Sequence, residues 1–461
     1  MGQWPPEQVD LIYLDPPFNS KANYNQLFGT GNGVPAQVRA FTDTWNWNDA
    51  AAERCELLKR ATAHPAHNAI IGMYGILGES GMLAYLTYMA QRLAACRKLL
   101  KPHGSIYLHC DPTASHYLKV VMDAVFGAEN FRNEIVWCYT GPGSPKMRQF
   151  NRKHDTIFWY SNGPAWTFNG DAVRIEHADG GPHTGGFVSA NVSAMDTQSA
   201  KEYGAKGKIP ETWWAQKKGN GLCVVPRSPR ENLGYPTQKP VKLLERIIKA
   251  SSNEGDLVLD PFCGCGTTLA SARTLNRKWI GIDISPFAAK LVRDKRLKDP
   301  SIPIYGIPTD MEGARLLLQR NPFDFEAWIV TSIDGLAANE IQVGDRGIDG
   351  RGRMYSVPDD ETGMVLAQVK GGGYTASALR DFQHVMSREK ATAGVFITLD
   401  KVTERQRMKA ASEGTYKIGA SSYPRLQFWS AAEHMQGVSP NLPTMADPFT
   451  GQAVQTEISL L

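Results

Sequence analysis

The apolar positions of the chain fall into short runs that alternate with stretches of helical spacing. Val9 to Leu14 (VDLIYL) is a continuous apolar run of strand length, and Pro16 and Pro17 end it. Leu83, Leu86, Met89, Leu93 and Leu100 recur at helical intervals, which predicts a helix from Gly81 to Leu100. KPHG (101–104) then turns into a strand, SIYLHC. HYLKVVMDAVFG (116–127) reads as a helix stopped by Gly127, and NEIVWCY and DTIFWYS read as strands. Strands alternating with helices predict an α/β fold with a parallel sheet.

Between residues 162 and 232 the rhythm stops. The segment is rich in Gly, Ser, Asn and His and carries KEYGAKGK (201–208) and TWWAQKKGNG (212–221). The pattern resumes with the helix PVKLLERIIKASS, whose Leu243, Leu244, Ile247 and Ile248 share a face. The strand DLVLD, a glycine-rich turn, the helix TLASARTL, the strand KWIGIDI and the helix PFAAKLVRDKRL follow. The boundaries expected are therefore 1–162, an insertion over 163–232, a resumed α/β segment over 233–298, a proline-bearing connector over 299–322, a second and smaller α/β domain over 323–435, and a tail over 436–461. No internal repeat stands out.

At 461 residues the chain is too long for one ordinary domain, and 42% hydrophobic with 21% charged residues is globular composition. No apolar stretch approaches about 18 uncharged residues, and no basic-plus-apolar leader opens the chain, so the expectation is a cytoplasmic protein with no membrane partner. The seven cysteines are scattered with one close pair, CGC, a pattern of reduced thiols rather than of disulfides or zinc. A net charge of +4 is too mild to argue for nucleic acid by itself.

Chemistry concentrates in a few places. DLVLDPFCGCGTT (256–268) is a strand, a turn and a helix start; Gly264 and Gly266 can take φ > 0, and the helix N-terminus offers unpaired N–H groups. Asp283, ending the next strand in GIDIS, is an acid where such a unit holds a ribose diol. Taken alone, these residues could equally be a structural turn and a cap. At the other end of the chain, LIYLDPPFNS sets Asp15, Pro16, Pro17 and Phe18 in a stiff corner.

DPPF followed much later by FCGCGTT and GIDIS resembles the amino-group DNA methyltransferases, and the order, catalytic motif before cofactor motif, is that of their β class. GSIYLHCD, FRNEIVW, HDTIFWYS and YPTQKP (235–240), the last similar to a motif of the Mod subunits, extend the resemblance over about Val9 to Leu297. It implies a Rossmann-like domain that binds S-adenosyl-L-methionine (AdoMet), with 1–162 as the catalytic half, 163–232 as the target-recognition insertion and 233–298 as the cofactor half. It also implies that Asp15 and the Pro16 carbonyl accept from an exocyclic amine, that Pro17 stiffens the corner and that Phe18 stacks on a flipped base. Asp260, Phe262, Gly264, Gly266, Thr267 and Asp283, with Gln238, Lys239 and Pro240 at the border, are the residues implied for AdoMet. Asp first in the motif favours adenine-N6 over cytosine-N4. Lys206, Lys208, Lys217 and Lys218, interleaved with Trp213 and Trp214, suit phosphate contact and stacking on double-stranded DNA, the implied partner; a solvated basic loop is the plainer alternative. A homodimer stays open. Relatives carry a further segment ending in Gly-Asp before the catalytic strand, whereas here MGQWPPEQ alone precedes it. A displaced start, a truncation, or IPTDMEG (307–313) acting as that wall would each account for this.

FDFEA (323–327), GDRGIDGR (344–351) and VLAQVKGG (365–372) resemble the Mrr-like branch of the PD-(D/E)xK nucleases in its D…QxK form, a restriction-endonuclease-like α/β fold. The resemblance implies Asp349, Gln368 and the helix acid Glu326 as Mg²⁺ ligands, with Lys370 assisting attack on a phosphodiester. Strand alternation puts Gln368 and Lys370 on one face. The alternatives are a glycine turn braced by Asp349 with a solvated Lys370, a fold that only grips DNA, and a nuclease to which the methyltransferase half serves only as DNA reader.

Overall fold

A computed structural model describes residues 4–17, 23–27, 37–42, 45–139, 148–175, 206–215, 222, 231–233, 235, 238–339, 347–355, 363–446 and 453–454. The chain divides into two compact units, Met1–Ala22, Asp43–Asn232 and Thr237–Ile284 forming the first, and Asn23–Thr42, Leu233–Pro236 and Ser285–Leu461 the second.

In the first unit β1 (Val9–Leu14) is buried at every position, with Ile12 and Leu14 in one apolar core and Leu11 and Tyr13 in another. A strand covered on both faces has no polar alternation to show, which is why VDLIYL reads as a continuous apolar run. The pair β2 (Asn23–Leu27) and β3 (Gln37–Thr42), grouped with the second unit, is antiparallel. The helices α1 (Asp49–Arg60), α2 (His67–Leu77), α3 (Gly81–Leu99) and α4 (Ser115–Phe126) supply one core; α3 starts where Ser80 accepts from Leu83 N. α5 (Val241–Ser251) packs Leu243, Leu244, Ile247 and Ile248 into the other.

The sheet has the order β7 (Trp213–Trp214), β5 (Phe131–Cys138), β6 (His154–Ser161), β4 (Leu100–Cys110), β1, β8 (Leu257–Asp260) and β9 (Lys278–Gly281) among the described residues. β1, β4, β8 and β9 are mutually parallel, but β6 runs antiparallel to both β4 and β5, so the sheet is mixed rather than parallel. No helix intervenes between β5 and β6 among the described residues, and strands joined without a crossover pair antiparallel. β1 lies between β4 and β8, where the strand order reverses, and crevices at such switch points hold ligands.

The second unit begins with α7 (Pro286–Leu291), then α8 (Met311–Arg320) and α9 (Pro322–Val330). The stretch expected as a bare connector thus contains a helix: Asp310 caps α8 by accepting from Gly313 N at 2.7 Å, and Ala314 is buried. Ile307 and Met311 of IPTDMEG pack against the second unit's own core, so that stretch is an element of this unit. β10 (Leu336–Ala338), β11 (Gly350–Arg353), β12 (Met364–Lys370), α10 (Ala376–Arg388) and β13 (Ala393–Thr398) follow, then α11 (Glu404–Ala411), the ribbon β14 (Thr415–Ile418) and β15 (Ser421–Pro424), β16 (Leu426–Ser430) and α12 (Ala431–Met435). The sheet order is β10-β11-β12-β13-β16, antiparallel up to β12 and parallel beyond it. The expected tail is in part structural. Met445 is buried in the core, Ala446 N donates to Arg353 O at 2.8 Å, and Trp429 Nε1 donates to Val438 O at 2.7 Å. A Cβ on Gly335, whose φ is +81°, would come within 2.2 Å of the Met445 Cβ; only glycine leaves room for this segment.

Candidate active sites

The pairing of Leu11 with Val258 and of Ile12 with Leu259 brings the ends of β1 and β8 together, so Asp15 and Asp260 stand at neighbouring strand ends although far apart in sequence. Asp260 is 2% exposed, and its Oδ1 accepts from Phe262 N at 3.0 Å. Burial raises its carboxyl to about 7, against the hydrogen bonds from Thr268 and Phe262 N, with the charges of Asp15 and Asp283 adding to the rise. Gly264 (φ +47°) and Gly266 (φ +74°) adopt the left-handed conformation expected of them, and Gly266 caps α6 (Thr267–Thr274). Asp283 Oδ2 accepts from Gly264 N at 2.8 Å, and Cys263 N donates to Ile282 O, so the acid after β9 is tied to the loop after β8. A Cβ on Gly281 would lie 2.5 Å from Leu269 Cδ1 and 3.0 Å from Cys263 Sγ, so β9 and the loop after β8 pack closely there. Left-handed glycines, a helix N-terminus and a nearby acid form a cradle that fits AdoMet.

Lys239 sends its ammonium to Asp15, at 2.8 Å from Oδ1 and 2.7 Å from Oδ2. Gln238 Nε2 donates to Glu231 O at 2.6 Å, Glu231 Oε1 accepts from Val241 N at the start of α5, and Pro240 is the N-cap residue of that helix. Pro16 is buried and Pro17 half-buried, while Phe18 lies outside the described residues.

Beneath this corner runs a buried polar chain to which no role was assigned from sequence. Tyr13 OH lies 2.9 Å from His109 Nδ1, His109 Nε2 lies 3.0 Å from Asp155 Oδ2, and Tyr139 OH donates to Asp155 Oδ1 at 3.3 Å. Burial works to raise the Asp155 carboxyl, but the hydrogen bonds from His109 and Tyr139 and the charge of Lys239 outweigh it and hold the group below its usual range. An ionised Asp155 only accepts, so Nε2 carries the proton, and in the neutral ring Nδ1 accepts from Tyr13. Burial, with Asp15 adding, pushes the Tyr13 phenol well above its ordinary value, which keeps it a donor. The signal in the sequence was a polar residue within otherwise apolar strands, His109 in SIYLHC and Asp155 in HDTIFWYS.

The insertion departs from its expected form at two positions. Trp214, expected to stack on a base, is 8% exposed and packs in the core with Trp137 and Leu222, the Arg246 guanidinium 5.0 Å from its ring. Pairing of β7 with β5 turns alternate side chains inward, and Trp213 is the outward one, at 58% exposure. Lys208 bridges to Ile175 through its backbone and pairs with Glu211, while Lys206 is exposed. Lys217 and Lys218 lie outside the described residues.

In the second unit Asp349 directly precedes β11. Its N donates to Ala367 O at 3.0 Å, and its Oδ2 accepts from Val369 N at 2.6 Å, which lays the carboxylate along β12. Gln368 is 5% exposed, its Nε2 donates to Gly347 O at 3.3 Å, and its Oε1 is buried without a hydrogen-bond partner among the described residues. A buried amide oxygen left unpaired beside a carboxylate is what a hard cation would satisfy, so these two residues fit Mg²⁺. Lys370 ends β12, half-buried, and Glu326 lies half-buried in α9. Among the described residues no group of three or more His, Cys, Asp and Glu side chains is disposed to hold a metal.

A mixed α/β sheet with a glycine cradle at its switch point, followed by an α-β-β-β-α-β unit with an acid directly before its second strand, defines a Rossmann-like α/β fold joined to a smaller α/β fold. The model of the DNA methylase family matches residues 9–294, and the chain belongs to that family. A restriction endonuclease family model, of the Mrr catalytic type, matches residues 317–426. The Type II methyltransferase M.HpaI of Haemophilus parainfluenzae is 33% identical over 212 residues, 46% of this chain and 59% of that protein. The DNA adenine methyltransferase YhdJ of Escherichia coli (strain K12) is 26% identical over 282 residues, 61% of this chain and 74% of that protein. The solved structure of PvuII DNA methyltransferase (cytosine-N4-specific) aligns at 16% identity over 66% of this chain and 84% of that one, with a TM-score of 0.37. The chain thus spans little more than half the length of M.HpaI. No helix among the described residues is long and apolar enough to cross a membrane.

Proposed function

We propose that the first unit transfers the methyl group of AdoMet to the exocyclic amine of a base flipped out of duplex DNA, adenine N6 in the first instance. The observation that carries this reading is the juxtaposition of Asp15, at the end of β1, with the glycine cradle that follows Asp260 at the end of β8. AdoMet, when bound, supplies an electrophilic methyl on its sulfonium; Gly264, Gly266, Thr267, Phe262, Asp260 and Asp283 would hold it, with Gln238 and Pro240 at the border. An amino group conjugated to a purine or pyrimidine ring is a poor nucleophile. Acceptors fixed on its N–H bonds raise its electron density and aim its lone pair. Asp15 and the Pro16 carbonyl are those acceptors, and Phe18 is the stacking ring for the flipped base. Asp at the head of the motif and the adenine specificity in the name of a relative support N6; cytosine N4 is the other candidate. Trp213, Lys206, Lys217 and Lys218 are the insertion's candidate DNA contacts.

Incubation with labelled AdoMet and unmethylated duplex DNA, followed by digestion to nucleosides, tests the reading. N6-methyladenine that disappears with Asp15→Ala is expected; N4-methylcytosine would reassign the base, and no transfer would refute the activity.

A second activity has its own support in Gln368 Oε1, buried without a partner among the described residues, beside Asp349. These residues would hold Mg²⁺, which polarises a phosphodiester and its attacking water, and Lys370 would stabilise the developing charge. Mg²⁺-dependent cleavage of DNA that survives Asp15→Ala and is lost with Asp349→Ala is the expected result.

A further inference from the structure

Lys239 chelates the acid of the catalytic corner, and that deepens the methyl-transfer reading on which this inference rests. The pair is enclosed, with the Lys239 side chain 9% and the Asp15 side chain 17% exposed. The surroundings are acidic. Asp260 lies on β8 beside Asp15, Asp283 follows β9 and bears on Asp260, and Asp155 on β6 feels the charge of Lys239. Tyr13 on β1 and His109 on β4 are bonded to each other and bring no fixed cation. An ammonium centred on both oxygens fixes the plane of the carboxylate, leaving its remaining lone pairs aimed away from Lys239.

We propose that Lys239 is a positioning residue for methyl transfer, holding the Asp15 carboxylate in orientation at the end of β1 through contact with both of its oxygens rather than binding the cofactor. Lys239 would then belong to the catalytic corner, which explains why a lysine stands at the entrance to α5.

The test uses the full chain, duplex DNA and labelled AdoMet, with kcat and the KM for AdoMet measured from pH 5.5 to 9. Lys239→Met keeps the length and removes the charge; Lys239→Arg keeps the charge. The expected outcome for Lys239→Met is a kcat lower by about 10- to 100-fold at pH 7 with a KM for AdoMet within about threefold. Lys239→Arg, which keeps a cation able to reach both oxygens, should recover part of the lost kcat. A Lys239→Met protein whose KM for AdoMet rises while kcat and its pH profile stay unchanged would make Lys239 a cofactor ligand and overturn the proposal. So would a profile unaltered in every respect. Transfer that is abolished by Asp15→Ala but indifferent to Lys239→Met sinks this role alone, whereas no transfer by the wild type sinks the methyltransferase reading with it. Should Lys239→Met fold poorly by its melting curve, Lys239→Gln gives the same comparison with a polar side chain.

Discussion

Asp260→Asn isolates the charge that the fold handles least comfortably. The carboxyl is 2% exposed and raised from 3.8 to about 7, chiefly by burial. At about 1.4 kcal/mol per pH unit, that rise represents roughly 4 kcal/mol. A raised value means that the folded chain keeps a proton which the unfolded chain has already lost. Stability from this group is therefore full below its unfolded value, about 4, and falls as pH climbs to about 7, beyond which the loss is complete. Asparagine carries no charge and still offers an oxygen to Phe262 N, the partner at 3.0 Å. Thermal and urea unfolding of both proteins from pH 4 to 8.5 should show the Asn variant gaining on the wild type as pH rises, with a slope approaching 1.4 kcal/mol per unit and a plateau above about 7. Subtracting the wild-type curve removes groups of opposite sign such as Asp155, whose lowered value makes its contribution fade as pH falls. A difference between the two proteins that does not vary with pH would refute the reasoning and mean that Asp260 is ionised throughout.

Three further outcomes are expected. Trp214→Ala should cost about 3 to 5 kcal/mol in urea unfolding because the ring is core, whereas Trp213→Ala should cost under about 1 kcal/mol and lower DNA affinity instead. His109→Phe should destabilise the first unit by about 2 to 4 kcal/mol, since it leaves both Tyr13 OH and Asp155 Oδ2 short of a buried partner, and Asp155→Asn should recover part of that loss in the double variant. Gly335→Ala should release the segment around Met445, seen as new proteolytic cleavage between residues 438 and 446 and a loss of about 2 kcal/mol or more.

The sequence by itself determined the strands and the glycine turn around the first site and the chemistry they carry. VDLIYL, SIYLHC and DLVLD are strands because long apolar runs bounded by turn residues have no other way to bury themselves, and GCG turns left-handed because glycine alone does so without cost. Asp15, the glycine loop, Asp349 and Gln368 were all legible as candidates. What they face was not. Pairing between β1 and β8 puts Asp15 beside Asp260, and the order of strands in a sheet is set by packing of both faces at once, which no local window contains. The same global choice made β6 antiparallel, turned Trp214 inward and Trp213 outward, and anchored the segment around Met445 against Gly335. It also chose the partner of Lys239. A flexible ammonium goes to the nearest desolvated carboxylate, and only the tertiary structure decides which carboxylate that is.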